Sequence, residues 1–126
     1  MFLSDLTEEQ KITFYNIAMD LVYSDEILDI NEAQLIARLE KEMGLSNKDI
    51  PKNKDLQSFD TKKSKSIAIL ELLMIAYIDE DFNVEESNYI KKIADFLEVN
   101  SMDFTEMKWW VKKKIEHDKE ALKFFK

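Results

Sequence analysis

Apolar residues recur along this chain at spacings of three and four, the period of helices that bury one side. Thr7, Glu8, Glu9 and Gln10 match a capping box, in which the threonine hydroxyl takes the amide three residues on and the glutamine reaches back, so a first helix is expected to start there. Ile12, Tyr15, Met19 and Val22, flanked by Phe14, Ala18 and Leu21, give it an apolar surface wider than a stripe, and it is expected to end near Ser24. A second helix carries Leu35, Ile36, Leu39 and Met43 up to Gly44, a suitable residue for the position just past a helix. Ser46 to Ser66 is polar, contains Pro51 and alternates lysines with Asp49, Asp55 and Asp60, as an exposed connector would; Leu56 and Phe59 within it suit a short turn docked on the core. Ile67 to Ile78 is apolar nearly all round and predicts a central helix, and Ile90, Ile93, Ala94 and Leu97 predict another amphipathic one. Phe104, Met107, Val111 and Ile115 define a last helix capped by Ser101 or Asp103, with a break near His117, and Leu122 and Phe125 extend it or form a final turn.

The order of these elements repeats. A shift of 54 superposes Tyr23, Asp25, Glu26, Leu28, Asp29, Ile30, Glu32, Ile36, Leu39 and Met43 on Tyr77, Asp79, Glu80, Phe82, Asn83, Val84, Glu86, Ile90, Ile93 and Leu97. Loop acids match along with apolar helix positions, which shared amphipathicity alone does not explain. The reading is an all-α, single-domain bundle of about five to seven helices. It comprises repeat one at about 8–45, a connector at 46–66, repeat two at about 67–100 and a C-terminal helix at 101–126.

Composition narrows the chemistry. One Gly and one Pro make sheets improbable and leave no phosphate-cradling loop; the absence of Cys excludes disulfides, thiolate metal sites and a cysteine nucleophile, and is compatible with a reducing cytoplasm. No signal peptide or membrane-spanning run is evident, so the chain reads as soluble and cytoplasmic. The net charge of −8 is unevenly placed: residues 1–45 carry ten acidic and three basic side chains, and 67–100 eight and two. The connector 46–66 has six basic against three acidic, and 101–126 seven against five. Such a field repels a phosphate backbone, which argues against nucleic acid and for cations or basic partners.

Asp79, Glu80, Asp81, Phe82, Asn83, Val84 and Glu85 open like an EF-hand calcium loop, but the sixth position is Val84 rather than Gly and the twelfth is Ile90 rather than Glu; the first segment fails equally at Ile36. Asp29 and Asn83 can be N-caps, with Glu32 and Glu86 three residues on at the positive end of the new helix. That reading leaves Asp25 and Asp79 unexplained, since an acid where a helix ends opposes its dipole by roughly 0.3–1 kcal/mol. Two readings stay open: the acids are solvated caps, or Asp25, Asp29, Glu32, Asp79, Asn83 and Glu86 hold a divalent cation, with Ca, Mg, Mn and Zn undecided.

These segments, with the repeat around them, resemble the TerB-like family named for bacterial tellurite resistance, over nearly the whole chain. The family's Asp-Gly-x-Ile-x-x-x-Glu type segment falls on Asp25 to Glu32 and on Asp79 to Glu86, with Glu26 and Glu80 where glycine is usual. The resemblance implies an all-helical domain, acids that hold divalent metal, and work in stress-response assemblies near the membrane or beside chaperones. The function expected is that of a non-enzymatic module binding a cation or a basic partner through its acidic loops, with other proteins as partners and no insertion into the membrane. The alternatives are a structural or adaptor domain without metal, and a metal-dependent hydrolase.

Trp109 and Trp110 cannot share the Phe104 face, because adjacent residues on a helix differ by about 100°. Trp110 flanks that face and is expected in the core; Trp109 is either covered by the connector or exposed as a partner anchor. Lys112, Lys113 and Lys114 read as solvated surface, and His117 as a surface residue with no second histidine or cysteine to complete a zinc site.

Overall fold

A computed structural model describes residues 2–22, 30–44, 50–78 and 84–125, and for the helical residues 30–33, 35–36, 78 and 84–85 the backbone alone. The described residues form five α-helices and no strand: α1 Glu8–Val22, α2 Ile30–Met43, α3 Lys62–Ile78, α4 Val84–Phe96 and α5 Ser101–Ala121. Short 3₁₀ turns at Leu3–Asp5 and Leu56–Ser58 precede α1 and α3, and a third, Leu122–Phe125, continues α5. The first of these turns carries no signal in the apolar pattern, yet it buries Leu3 completely.

The central position of α3 follows from its composition. Ile67, Ala68, Ile69, Leu72, Leu73, Ile75 and Ala76 are all buried, and α1, α4, α5 and the Leu3–Asp5 turn pack around them. α2 lies on α1 and on the same turn, so each hairpin covers part of the other's apolar surface. The Phe59 ring, just after the Leu56–Ser58 turn, is buried as the docked connector requires.

Helix boundaries follow local hydrogen bonding. The box at α1 forms as the sequence predicts: Gln10 N–H donates to Thr7 Oγ1 at 3.2 Å and Thr7 N–H to Gln10 Oε1 at 2.9 Å. α3 starts at Lys62, before the expected end of the connector at Ser66, because Thr61 and Ser64 make a second box; Ser64 N–H donates to Thr61 Oγ1 at 3.0 Å and Thr61 N–H to Ser64 Oγ at 3.1 Å. The cap of α5 is neither Ser101 nor Asp103 but Asn100, whose Oδ1 accepts from Asp103 N–H at 2.8 Å. No break occurs near His117, and the helix runs on to Ala121. Ser24, the expected end of the first helix, lies outside the described residues.

The offset of 54 extends to backbone geometry. Helix starts fall at Glu8 and Lys62, then at Ile30 and Val84, and the capping threonines at Thr7 and Thr61. After α2, Gly44 adopts φ 68° and donates to Lys41 O at 3.2 Å; after α4, Glu98 adopts φ 61° and donates to Asp95 O at 3.1 Å. Val99 N–H also reaches Ala94 O at 2.9 Å, which completes a Schellman end with a glutamate in the left-handed seat. That seat costs a side-chain-bearing residue about 1 kcal/mol or more. Glu98→Gly is therefore expected to stabilise the fold by about 0.5–1 kcal/mol, after allowance for the freer unfolded chain. Gly44→Ala, where an added Cβ meets nothing within 4 Å, should lose about 1 kcal/mol from conformation alone. Urea midpoints of the two variants would shift in opposite directions.

Candidate functional site

The connector is fastened along one side of α1 by a row of polar residues. Gln10 Nε2 donates to Ser58 O at 2.9 Å, Ser58 Oγ donates to Thr13 Oγ1 at 3.3 Å, and Asn16 Nδ2 donates to Pro51 O at 2.9 Å. Lys54 Nζ pairs with Asp20 Oδ2 at 2.6 Å. Gln10, Thr13, Asn16 and Asp20 recur at helical spacing, a signal present in the sequence that the apolar pattern obscures.

Asp20 ends this row and begins the candidate site. Tyr89 OH, on the second turn of α4, donates to Asp20 Oδ2 at 3.4 Å, so the last turn of α1 lies beside the first turns of α4. The chain leaves α1 towards Asp25 and Asp29, and enters α4 from Asp79 and Asn83. The anchor points of both acidic segments therefore share one pole of the bundle.

Of the six residues expected to hold a cation, Asp25, Asp29, Asp79 and Asn83 lie outside the described residues, as does the Glu32 side chain. Glu86 is described: it is 5% exposed, in the first turn of α4, and engaged in a polar or electrostatic contact. The positive end of the helix favours a carboxylate there, which offsets part of its desolvation. α1 and α3, the helices that run into the acidic segments, have no basic residue in the last turn; α4 has none either, whereas α2 has Lys41 and α5 has Lys119. Among the described residues no three or more His, Cys, Asp or Glu come together in a metal-holding group.

A second buried carboxylate escaped the sequence reading. Glu71 lies at mid-length in α3, 4% exposed, and its Oε1 accepts the Phe2 N–H at 2.8 Å across 69 residues of sequence. It fastens the N-terminal turn to the central helix and lies away from the loop acids in sequence and in role.

Trp109 is 59% exposed, with Lys112 and Lys113 Nζ at 5.9 and 6.0 Å from its ring; the connector does not cover it. Trp110, expected in the core, is 44% exposed. One residue turns it about 100° from Trp109, to the margin of the buried face, where the Phe2 ring lies beside it, tilted by 38° with centroids 6.2 Å apart. Of the three consecutive lysines, Lys114 pairs with Asp118 at 3.6 Å, and His117 is exposed.

No protein-family model, curated protein or solved structure matches this chain. Among the described residues no helix is long and apolar enough to cross a membrane.

Burial, with the Asp20 charge and hydrogen bond beside it, raises the Tyr89 hydroxyl to about 12, whereas in the unfolded chain it titrates near the ordinary tyrosine value of 10.0. The unfolded state then loses this proton first, so the contribution of Tyr89 to stability is complete below pH 10 and declines as pH rises towards 12. Tyr89→Phe should flatten that part of the stability profile, measured by urea unfolding at successive alkaline pH values. An unchanged slope would show that Tyr89 ionises alike in both states.

Proposed function

We propose that this chain is a non-enzymatic, TerB-like module whose two acidic segments act from one pole on a divalent cation or, through the same charge, on a basic partner surface. The contact between Asp20 and Tyr89 carries the reading, because it anchors both segments at the same end. Two facts support it: the buried Glu86 carboxylate and the net negative charge of both repeats. Oxygen donors in this number suit a hard cation such as Ca or Mg better than a thiophilic one, and a chain without cysteine offers no sulfur. The lack of cysteine also accords with a reducing, cytoplasmic setting. A stress-response role rests on the family resemblance.

Calorimetric titration with calcium, magnesium, manganese and zinc tests the cation reading. Saturable binding is expected below millimolar metal, with at least a tenfold loss in the double variant Asp25→Asn, Asp79→Asn, since two charges are removed from one pole. Absence of binding at millimolar concentrations of all four, or equal binding by the double variant, would rule the reading out. A second reading, an adaptor domain without metal, is favoured by the exposed Trp109 on α5.

A further inference from the structure

Among the described residues, the large hydrophobic side chains left exposed gather on α5 and its continuation: Met102, Trp109, Trp110, Leu122, Phe124 and Phe125, with Phe96 of α4 the exception. The last α5 side chain packed against the core is Ile115; of residues 116–125 only Ala121 is even partly covered. Ten helical residues extend roughly 15 Å, so the helix runs past the core as an arm, with Phe124 87% exposed near its tip.

The charge of this arm is opposite to that of the two repeats. Residues 108–126 carry seven lysines against Glu116, Asp118 and Glu120, an excess of four positive charges. Among the described residues only Lys114 of these lysines is in an ion pair, with Asp118. Because α5 has no break near His117, Lys108, Lys112, Lys119 and Lys123 fall along one flank at intervals of four, seven and four. Lys112 and Lys113 also stand over the Trp109 ring, 5.9 and 6.0 Å from its centroid. This excess is complementary to an anionic occupant and opposes the same arm of a second copy.

The apolar side chains decide which anionic occupant. Nucleic acid would satisfy lysines and stack on rings, but offers nothing to Met102 or Leu122. A protein partner would anchor its side chains in walled pockets, whereas the depression beside the arm, lined by Phe2, Trp110, Lys113 and Lys114, is shallow and open. A lipid surface needs no such walls. Exposed Trp and Phe interleaved with Lys suit the boundary between headgroups and acyl chains, where rings enter the apolar side and ammonium groups reach back to phosphates. A helix lying on that surface is about 10 Å thick, more than the Debye length of about 8 Å at physiological salt. The acidic repeats behind it are therefore largely screened from the anionic lipid.

We propose that α5 is a surface anchor for anionic phospholipid, which it binds reversibly and without crossing the membrane. Trp109, Trp110 and Phe124 enter the headgroup boundary, and the flanking lysines meet the lipid phosphates. Nothing in this attachment depends on a bound cation, so it stands or falls separately from the acidic pole.

Cosedimentation of the full chain with vesicles of phosphatidylglycerol and phosphatidylcholine in equal parts tests it, at physiological salt and with EDTA present so that the acidic segments cannot bridge to lipid through a cation. Binding should be at least tenfold tighter than to pure phosphatidylcholine. Each lysine at an anionic surface contributes about fivefold, so Lys119→Gln with Lys123→Gln should weaken binding at least tenfold. Phe124→Glu should do the same, and it alters a side chain that is almost wholly exposed, so the fold is not at stake. Both tryptophans of the chain lie on α5, and their emission should shift to the blue when the mixed vesicles are added. No cosedimentation with the mixed vesicles, equal binding to both kinds of vesicle, or binding indifferent to Phe124→Glu would overturn the proposal. So would a lipid-free mass of twice 14.9 kDa that Phe124→Glu returns to 14.9 kDa, which would assign the arm to a second copy.

Discussion

A helix with apolar side chains on every side cannot border water, and α3 imposes that constraint on the whole molecule. Burying one Leu or Ile contributes about 1.5–3 kcal/mol, and α3 buries five such residues, Ile67, Ile69, Leu72, Leu73 and Ile75, in a single helix. No one neighbour can surround it. Its cover is assembled from α1, α4, α5 and the Leu3–Asp5 turn, and the buried Glu71 holds that turn through the Phe2 amide. The carboxylate is polar in the most apolar helix of the chain, and its position is consistent with giving the turn a fixed place.

The constraint also explains how two similar halves come to differ. The polar row Gln10, Thr13, Asn16 and Asp20, which binds the connector to α1, maps under the offset of 54 onto Ser64, Ile67, Leu70 and Met74. The first helix presents hydrogen-bonding groups there and accepts a polar strap. The second keeps one polar residue, Ser64, which serves the α3 capping box, and is otherwise apolar, and an amphipathic helix, α5, packs against α3.

Much of this architecture is legible from local pattern. The box at Thr7, the left-handed glycine at 44, the docked Phe59 and the central apolar helix all depend on residues within a turn or two of each other. What the pattern leaves open is decided by groups far apart in sequence. Ser101 and Asp103 are competent caps by residue type, yet Asn100, which the sequence reading passed over, holds that place. A helical wheel gives the direction of Trp110 but not the size of the Phe2 ring that partly covers it. Two long-range contacts, Phe2 to Glu71 and Asp20 to Tyr89, each span 69 residues and leave no local trace. For the candidate site, the sequence identifies the acids and their register, while the structure supplies the shared pole and the burial of Glu86.

The charges on this chain are arranged against local convenience. Basic residues close α2 and α5, where they meet the negative end of a helix, and are missing from the ends of α1, α3 and α4, of which α1 and α3 continue into acids. Lys54 reaches one of these ends from the connector and pairs with Asp20, but both side chains remain substantially exposed, and such a pair contributes no more than about 1 kcal/mol. It cannot balance the acids that follow in two segments tethered to the same pole. Away from that pole, α5 gathers lysines and exposed aromatic rings. If stability alone had shaped the surface, exchanging some acids at the pole for lysines from α5 would have relieved repulsion at little cost to packing. The acids and the lysines therefore lie in different parts of the chain, and each sets the local potential of its own surface.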